Sequence, residues 1–300
     1  MEGKRIFVIG SSNTDMVVKA ARLPVPGETI LGGVFLMNAG GKGANQAVAA
    51  ARLGGQVTFI AKVGNDIFGT QSLEGFKREG IQTHYVLVDD VNPSGTALIM
   101  VNQAGENCIV VAPGANAALR PADLECVTEM KEAAIILMQL EIPLDTIEAV
   151  KRIAVANQQR VIINPAPAQS LSDELMNDLF LITPNESEAG LLTGIEVTDM
   201  NTASLAADYF LNKGVKNVII TMGKLGAYFK NGEKAFMVPA PVVSVMDTTA
   251  AGDTFSGAIT VAVTEGMNWE EAIQFAVKAA SISVTRMGAQ ASVPFRQEML

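Results

Sequence analysis

The chain is poor in histidine, cysteine and clustered basic residues. His84 is the only histidine in 300 residues, which removes most zinc sites and most histidine-based nucleophilic triads. No Gly-x-Ser-x-Gly element is present. His84 itself, between Gly80 and Val86, reads as a surface residue. Cys108 and Cys126 are the only cysteines, too few for a disulfide scaffold. A reduced, cytoplasmic protein is therefore expected, with both thiols acting as small buried apolar groups. No run of Lys and Arg offsets the net charge of -9, which argues against nucleic acid as a partner. No apolar stretch approaches the roughly 18 residues that span a bilayer, so no membrane partner is expected. The first residues lead directly into Arg5-Ile-Phe-Val-Ile-Gly10, without the apolar region and cleavage site of a signal peptide.

What is present is apolar substance arranged as α/β. Hydrophobic residues make up 49% of the chain, enough to bury a large core. Short runs rich in Val, Ile, Leu or Phe at 5–10, 57–63, 134–140, 160–164, 179–183 and 217–222 read as strands buried on both faces. Helical periodicity falls between or after them, at 43–54, 68–79, 145–157, 202–213, 253–265 and 269–285. The alternation predicts a central, mainly parallel sheet flanked by helices. Segments 227–230 and 234–238 read as antiparallel strands around Asn231-Gly232. Two stretches, 14–37 and 95–112, read as strands without crossover helices, the second as a hairpin. They are expected to form a small β-sheet, inserted in one domain spanning 1–300. Such a sheet serves as a lid that excludes water, as a dimer surface, or as an edge extension of the main sheet.

The most informative run is Asp247-Thr-Thr-Ala-Ala-Gly-Asp-Thr-Phe-Ser-Gly-Ala258. Small residues lead into Asp253, and an apolar helix begins there. Unpaired N–H groups and the helix dipole make such a start attractive to anions. A carboxylate beside an anion hole suits a base that deprotonates a hydroxyl attacking a phosphate. Asp253 as a plain N-cap is the competing reading. A second glycine-rich element, Asn38-Ala-Gly-Gly-Lys-Gly-Ala-Asn-Gln46, opens a helix. It is not a Walker A loop, because Gly43 follows Lys42, and not a dinucleotide fingerprint, because Gln46 stands at the third glycine position. Lys42 and Asn45 offer donors there; an ordinary structural turn is the alternative. Asn13, Asp15 and Glu141 fall at the C-terminal ends of strands, where open α/β sheets bind ligands, or act only as turn formers and surface acids. Asn185 and Glu188 have capping-box spacing, or lie near a metal–phosphate complex. Thr221, Gly223 and Gly226 form a strand-to-turn element that passes beneath a nucleotide or is merely a turn. Ser283 to Ser292 reads as a helix end whose freed carbonyls suit a cation.

In this order the elements resemble the ribokinase-like family of sugar and nucleoside kinases over essentially the whole chain. The resemblance rests on Gly10-Ser-Ser-Asn-Thr-Asp15, Gly40-Gly-Lys-Gly-Ala-Asn45, Gln139-Leu-Glu-Ile-Pro143, Thr183-Pro-Asn-Glu186, the Asp253 run and Val284-Thr-Arg-Met-Gly-Ala-Gln290. It implies ATP-dependent phosphorylation of the D-ribose 5-hydroxyl and a homodimer clasped through the β-lid. It implies Asp253 as base, with the backbone N–H groups of Ala250, Ala251, Gly252 and Asp253 stabilising the transferred charge. Asn13, Asp15, Gly41, Lys42, Asn45 and Glu141 would hold ribose. Asn185, Glu188, Thr221, Gly223, Gly226 and Gly252 would surround ATP and magnesium, with Glu188 reaching the magnesium through water. A potassium ion would sit among Asp247, Thr249, Ser283, Arg286, Gly288 and Ser292. Two departures stand out: Val277, where relatives often carry a polar residue near adenine, and Ser256, where many carry Asn. The alternatives are a family kinase for deoxyribose, a ketohexose or a nucleoside, and a catalytically silent sugar-binding protein.

Overall fold

The computed structural model describes residues 5–125 and 127–299. Its elements in chain order are β1 (Arg5–Ile9), β2 (Asn13–Lys19), β3 (Val34–Gly40), α1 (Lys42–Arg52), β4 (Gln56–Gly64), α2 (Ile67–Arg78), β5 (Gln82–Asp89), β6 (Gly95–Val101) and β7 (Asn107–Ala112). They continue with β8 (Ile135–Met138), α3 (Leu144–Ala156), β9 (Arg160–Ile163), α4 (Asp173–Met176), β10 (Leu181–Ile182), α5 (Glu186–Thr193), α6 (Met200–Asn212), β11 (Asn217–Thr221), β12 (Ala227–Asn231), β13 (Ala235–Val238), α7 (Ala251–Glu265) and α8 (Trp269–Ser283). Helix α7 begins two residues before its predicted start, which puts Ala251 and Gly252 inside its first turn.

One sheet has nine strands in the order β13-β12-β11-β10-β9-β8-β1-β4-β5. It is parallel except at β12 and β13, which pair antiparallel as predicted. Strand β1 shows why helices must cover both faces. Ile6 and Val8 join one hydrophobic cluster, Phe7 and Ile9 the other, and all four are fully buried. The chain runs from β1 towards β4 and β5 on one side, and β8 to β11 lie on the other. The C-terminal ends of β1 and β8 therefore frame the point where the strand order reverses, the place where such sheets bind ligands.

Helices α1 and α7 close that point from one face. Both are interior: α1 is buried from Gly43 to Ala50 and α7 from Asp253 to Val263. They touch closely because Gly257 has no side chain. A Cβ there would stand 2.6 Å from the Ala49 Cβ and 2.9 Å from the Ala50 nitrogen and the Gln46 carbonyl oxygen.

The second sheet has four strands in the order β3-β2-β6-β7, built from the two predicted insert segments. Its inner face carries Val17, Leu36 and Ile99 over a cleft. Register puts Val18, Phe35, Met100 and Cys108 side by side on the outer face. Of these, Val18, Phe35 and Met100 are exposed hydrophobics. Cys108 is exposed too, contrary to the expectation of a buried thiol, because β7 is an edge strand open along its whole length. Cys126 lies outside the described residues. His84 is exposed, as expected, on β5. No helix among the described residues is long and apolar enough to cross a membrane.

Gly257→Val should destabilise the protein by about 1–3 kcal/mol in thermal or urea unfolding, because the overpacked contact lies between two interior helices. An unchanged midpoint would mean that α1 and α7 can separate freely.

Candidate active site

The turn from β3 into α1 builds the first part of the site. Gly41 has φ 89°, and a Cβ on it would stand 2.7 Å from the Asn13 nitrogen. That close approach sets the start of α1 against the end of β1. The Lys42 backbone N–H donates to Glu141 Oε2 at 3.0 Å, and the Ser11 hydroxyl donates to the same oxygen at 2.5 Å. Glu141 thus ties the end of β8 to the first turn of α1. Asn13 starts β2, and its Oδ1 accepts from Asn116 Nδ2 at 2.7 Å. Asp15 lines the large cleft beneath the small sheet, opposite Asn38.

Asp253 is buried in the first turn of α7. Its Oδ2 accepts from Asn45 Nδ2 at 2.9 Å, and its Oδ1 from Gln46 Nε2 at 2.9 Å. The Asp253 side chain therefore faces groups on α1, and no side chain caps α7. The residue at the cap is Ala250, in the left-handed region at φ 58°, a strained conformation for a residue with a Cβ. The Ala251 N–H donates to Thr248 O at 3.2 Å, while the N–H groups of Gly252 and Asp253 meet no backbone acceptor among the described residues. Of the N–H groups expected to form an anion hole, that of Ala251 is turned into the preceding loop.

These groups open on a cavity of about 210 Å³ lined by Lys42, Asn164, Thr183, Asn185, Glu188, Thr221, Gly252 and Asp253, among others. Asn185 and Glu188 form the capping box of α5: the Glu188 N–H donates to Asn185 Oδ1, and Glu188 Oε2 accepts the Asn185 N–H. Capping and a place in the cavity coexist. Gly223 and Gly226 lie in the turn after β11 and do not line this cavity. Val277 lines a separate cavity of about 440 Å³ with Pro239, Val243 and Ile282.

The charges interact strongly. Burial alone would push the Lys42 ammonium down, but Asp253, Glu141, Glu188 and Asp15 together hold it above its ordinary value. Burial pushes Asp253 up, against Lys42, Gln46 and Asn45, which favour its charge. Burial likewise raises Glu188. Asp15 is pushed up to about 6 by burial first and then by Glu141 and Asp253. Lys42, expected at the sugar, lines the smaller cavity while feeling all four carboxylates, so it stands between the two groups of residues.

The six residues assigned to a cation come from two loops. Asp247 Oδ1 accepts from the Thr249 N–H at 2.9 Å and from its hydroxyl at 2.6 Å, while Oδ2 accepts from the Gly288 N–H at 2.9 Å. Burial opposes its charge, but these donors and Lys19 hold it below its ordinary value. The Ser283 and Ser292 hydroxyls donate to Ala280 and Ala289 in their own turns. The Arg286 guanidinium pairs with Glu298 at 2.5 Å and its N–H donates to the Ser283 carbonyl, which leaves its own carbonyl oxygen as the group suited to a cation.

Residue patterns missed Ser11, Gln46, Gln139 and Asn164. Gln46 Nε2 also donates to Asn164 Oδ1 at 2.9 Å, and Gln139 Nε2 donates to Gln46 Oε1 at 2.6 Å. The available signal was polarity out of place: Gln139 follows the apolar run of β8, Asn164 follows that of β9, and Gln46 stands inside an alanine-rich helix.

The pfkB family carbohydrate kinase model matches residues 4–296, and the chain belongs to that family of enzymes. Within it, the similarity runs to ribokinases. The chain is 45% identical over 302 residues to the ribokinase of Haemophilus influenzae, covering 99% of this chain and 97% of that one. A structure of Arabidopsis thaliana ribokinase complexed with ribose and ATP superposes with a TM-score of 0.90 at 34% identity, over 100% of this chain and 98% of that one. The deoxyribokinase of Salmonella typhi is 37% identical over 293 residues, covering 96% and 95% of the two chains.

Asp15 makes the site a stability liability. Its folded value of about 6 exceeds the ordinary 3.8, so its contribution is fully present below 3.8 and is lost as pH rises through about 6. Asp15→Asn should therefore raise the melting temperature of the ligand-free protein near about pH 8 and change it little near about pH 4. Equal shifts at both pH values would show that Asp15 is not held neutral by its surroundings.

Proposed function

We propose that this chain transfers the γ-phosphoryl group of ATP to the 5-hydroxyl of D-ribose, giving D-ribose 5-phosphate and ADP. The observation that carries the reading is the position of Asp253. It is a buried carboxylate held by two amides, beside the free N–H groups of Gly252 and Asp253 and the Lys42 ammonium. Asp253 takes the hydroxyl proton as the sugar oxygen bonds to phosphorus and the bond to the leaving ADP oxygen breaks. The N–H groups and Lys42 meet charge that spreads over the phosphoryl oxygens.

Asn13, Asp15, Gly41, Asn45 and Glu141 hold the sugar. Asn45 Oδ1 is buried without a partner and suits a hydroxyl donor. Asn185, Glu188, Thr221, Gly223, Gly226 and Gly252 lie along the nucleotide. Adenine fits the apolar cavity at Val277. Magnesium, arriving on the nucleotide, would neutralise phosphate charge. Glu188, raised but still an oxygen ligand once deprotonated, suits contact through water, since magnesium keeps several waters beside one or two carboxylates. The ionised Asp247 and the carbonyl-rich loop ends at Thr249, Ser283, Arg286, Gly288 and Ser292 have the hard oxygen chemistry of a potassium site.

The small sheet acts as a lid over the cleft. Its exposed outer face, with Val18, Phe35 and Met100, supports a homodimer formed lid to lid. The deoxyribokinase relative keeps 2-deoxyribose open as the acceptor.

ADP release should depend on D-ribose and rise with potassium. A larger kcat/KM for 2-deoxyribose would keep the chemistry and move the specificity. Asp253→Asn should fold and lose turnover by about 10²–10⁴-fold; retained turnover would remove Asp253 as the base.

A further inference from the structure

The amides behind Asp253 form a directed chain. An ionised carboxylate only accepts hydrogen bonds, so the nitrogen of Gln46 must face Asp253 Oδ1, as it does at 2.9 Å. The second N–H of Gln46 goes to Asn164 Oδ1. Asn164, with its oxygen used, turns Nδ2 to the Thr183 carbonyl at 3.0 Å. Gln46 Oε1 is left as an acceptor and receives Gln139 Nε2 at 2.6 Å. One charge thus orients three amides.

The chain ends on an orphan. Gln139 Oε1 is buried without a partner, pressed against Gly10, where no side chain would fit. An unpaired buried acceptor is destabilising, so stability alone gives no reason to keep it. Gln46 and Gln139 are fully buried and line neither the cleft nor the 210 Å³ cavity. Whatever they do for the reaction, they do through Asp253.

We propose that Gln46 is a positioning residue for phosphoryl transfer: backed by Gln139 and Asn164, it fixes the orientation of the Asp253 carboxylate and keeps it ready to accept a proton. The proposal rests on the reading of Asp253 as the base. Asn45 approaches the other oxygen from the same helix, one residue earlier. The charged groups around Asp253 do not all favour its ionised form. Lys42 from α1 favours its charge, but Glu141 after β8, Asp15 on β2 and Glu188 on α5 are all carboxylates, and burial works against the charge as well. A fixed N–H donor that carries no charge of its own favours the ionised form without adding a partner that could titrate.

The test compares Gln46→Met and Gln139→Met with Asp253→Asn, using steady-state kinetics on D-ribose and ATP across pH. Gln46→Met should lower kcat by about 10- to 100-fold, the loss of one hydrogen bond to a charged group, with a smaller change in the sugar KM. The acid limb of its kcat/KM profile should move to higher pH, because the lost N–H favoured the charged form. Gln139→Met should shift the limb the same way by less, with a melting temperature close to that of the parent, since it removes one orphan acceptor, Gln139 Oε1, and leaves another, Gln46 Oε1. If Gln46→Met does not fold, Gln139→Met decides alone. An acid limb unmoved in the folded variants, with Asp253→Asn inactive, overturns the positioning role and leaves the base in place. Full activity of Asp253→Asn overturns the base reading itself.

Discussion

The structure depends on holding one carboxylate where there is almost no water. A buried charge needs hydrogen bonds and counter-charge. Asp253 takes its hydrogen bonds from two neighbouring residues of α1 and counter-charge from Lys42 at the start of that helix. That arrangement requires α1 and α7 to lie almost in contact, which the missing side chain at Gly257 permits. It also requires both helices to start above the crevice between β1 and β8, where the strand order reverses. Sheet topology and glycine placement thus converge on the same buried carboxylate.

The same demand explains why the site is unfavourable to the ligand-free fold. Asp15, Glu188 and Asp253 are all raised by burial, and the lone ammonium of Lys42 faces them together with Glu141. Ala250 adds backbone strain at the turn before α7. A sugar with many hydroxyl donors and a polyphosphate bringing its own cations are the partners that such a surplus of acceptors and carboxylates suits. The small sheet, proposed above as a lid, belongs to this logic, since closure over the cleft would strengthen every interaction beneath it.

Much of this was legible in the residue order. The apolar runs located the central strands, and the unbroken burial of β1 on both faces is what such a run predicts. The two segments without crossover helices did form a separate sheet. Asp253, Asp15, Lys42, Asn45 and Glu141 do converge. Strand β5 escaped notice because it is an edge strand with mixed exposure and no clean alternation. Helix α5, with only 8 residues and a single buried one, is too short for periodicity to show and was signalled only by the capping-box spacing of Asn185 and Glu188. Cys108 was misjudged because composition suggests burial for a thiol, whereas exposure follows from where its strand lies in the sheet.

Sequence by itself determined the local events: which runs are strands, where glycine lets the chain turn, and that a carboxylate begins an apolar helix beside a run of small residues. These are properties of neighbouring residues and need no knowledge of the rest of the chain. Only the tertiary structure decided what Gln46, Asn164 and Gln139 face. Their partners lie 207, 118 and 93 positions away in the chain. An amide has no charge and no motif to reveal it. Which group it faces is fixed only when the ends of two interior strands and two helices close around the same carboxylate.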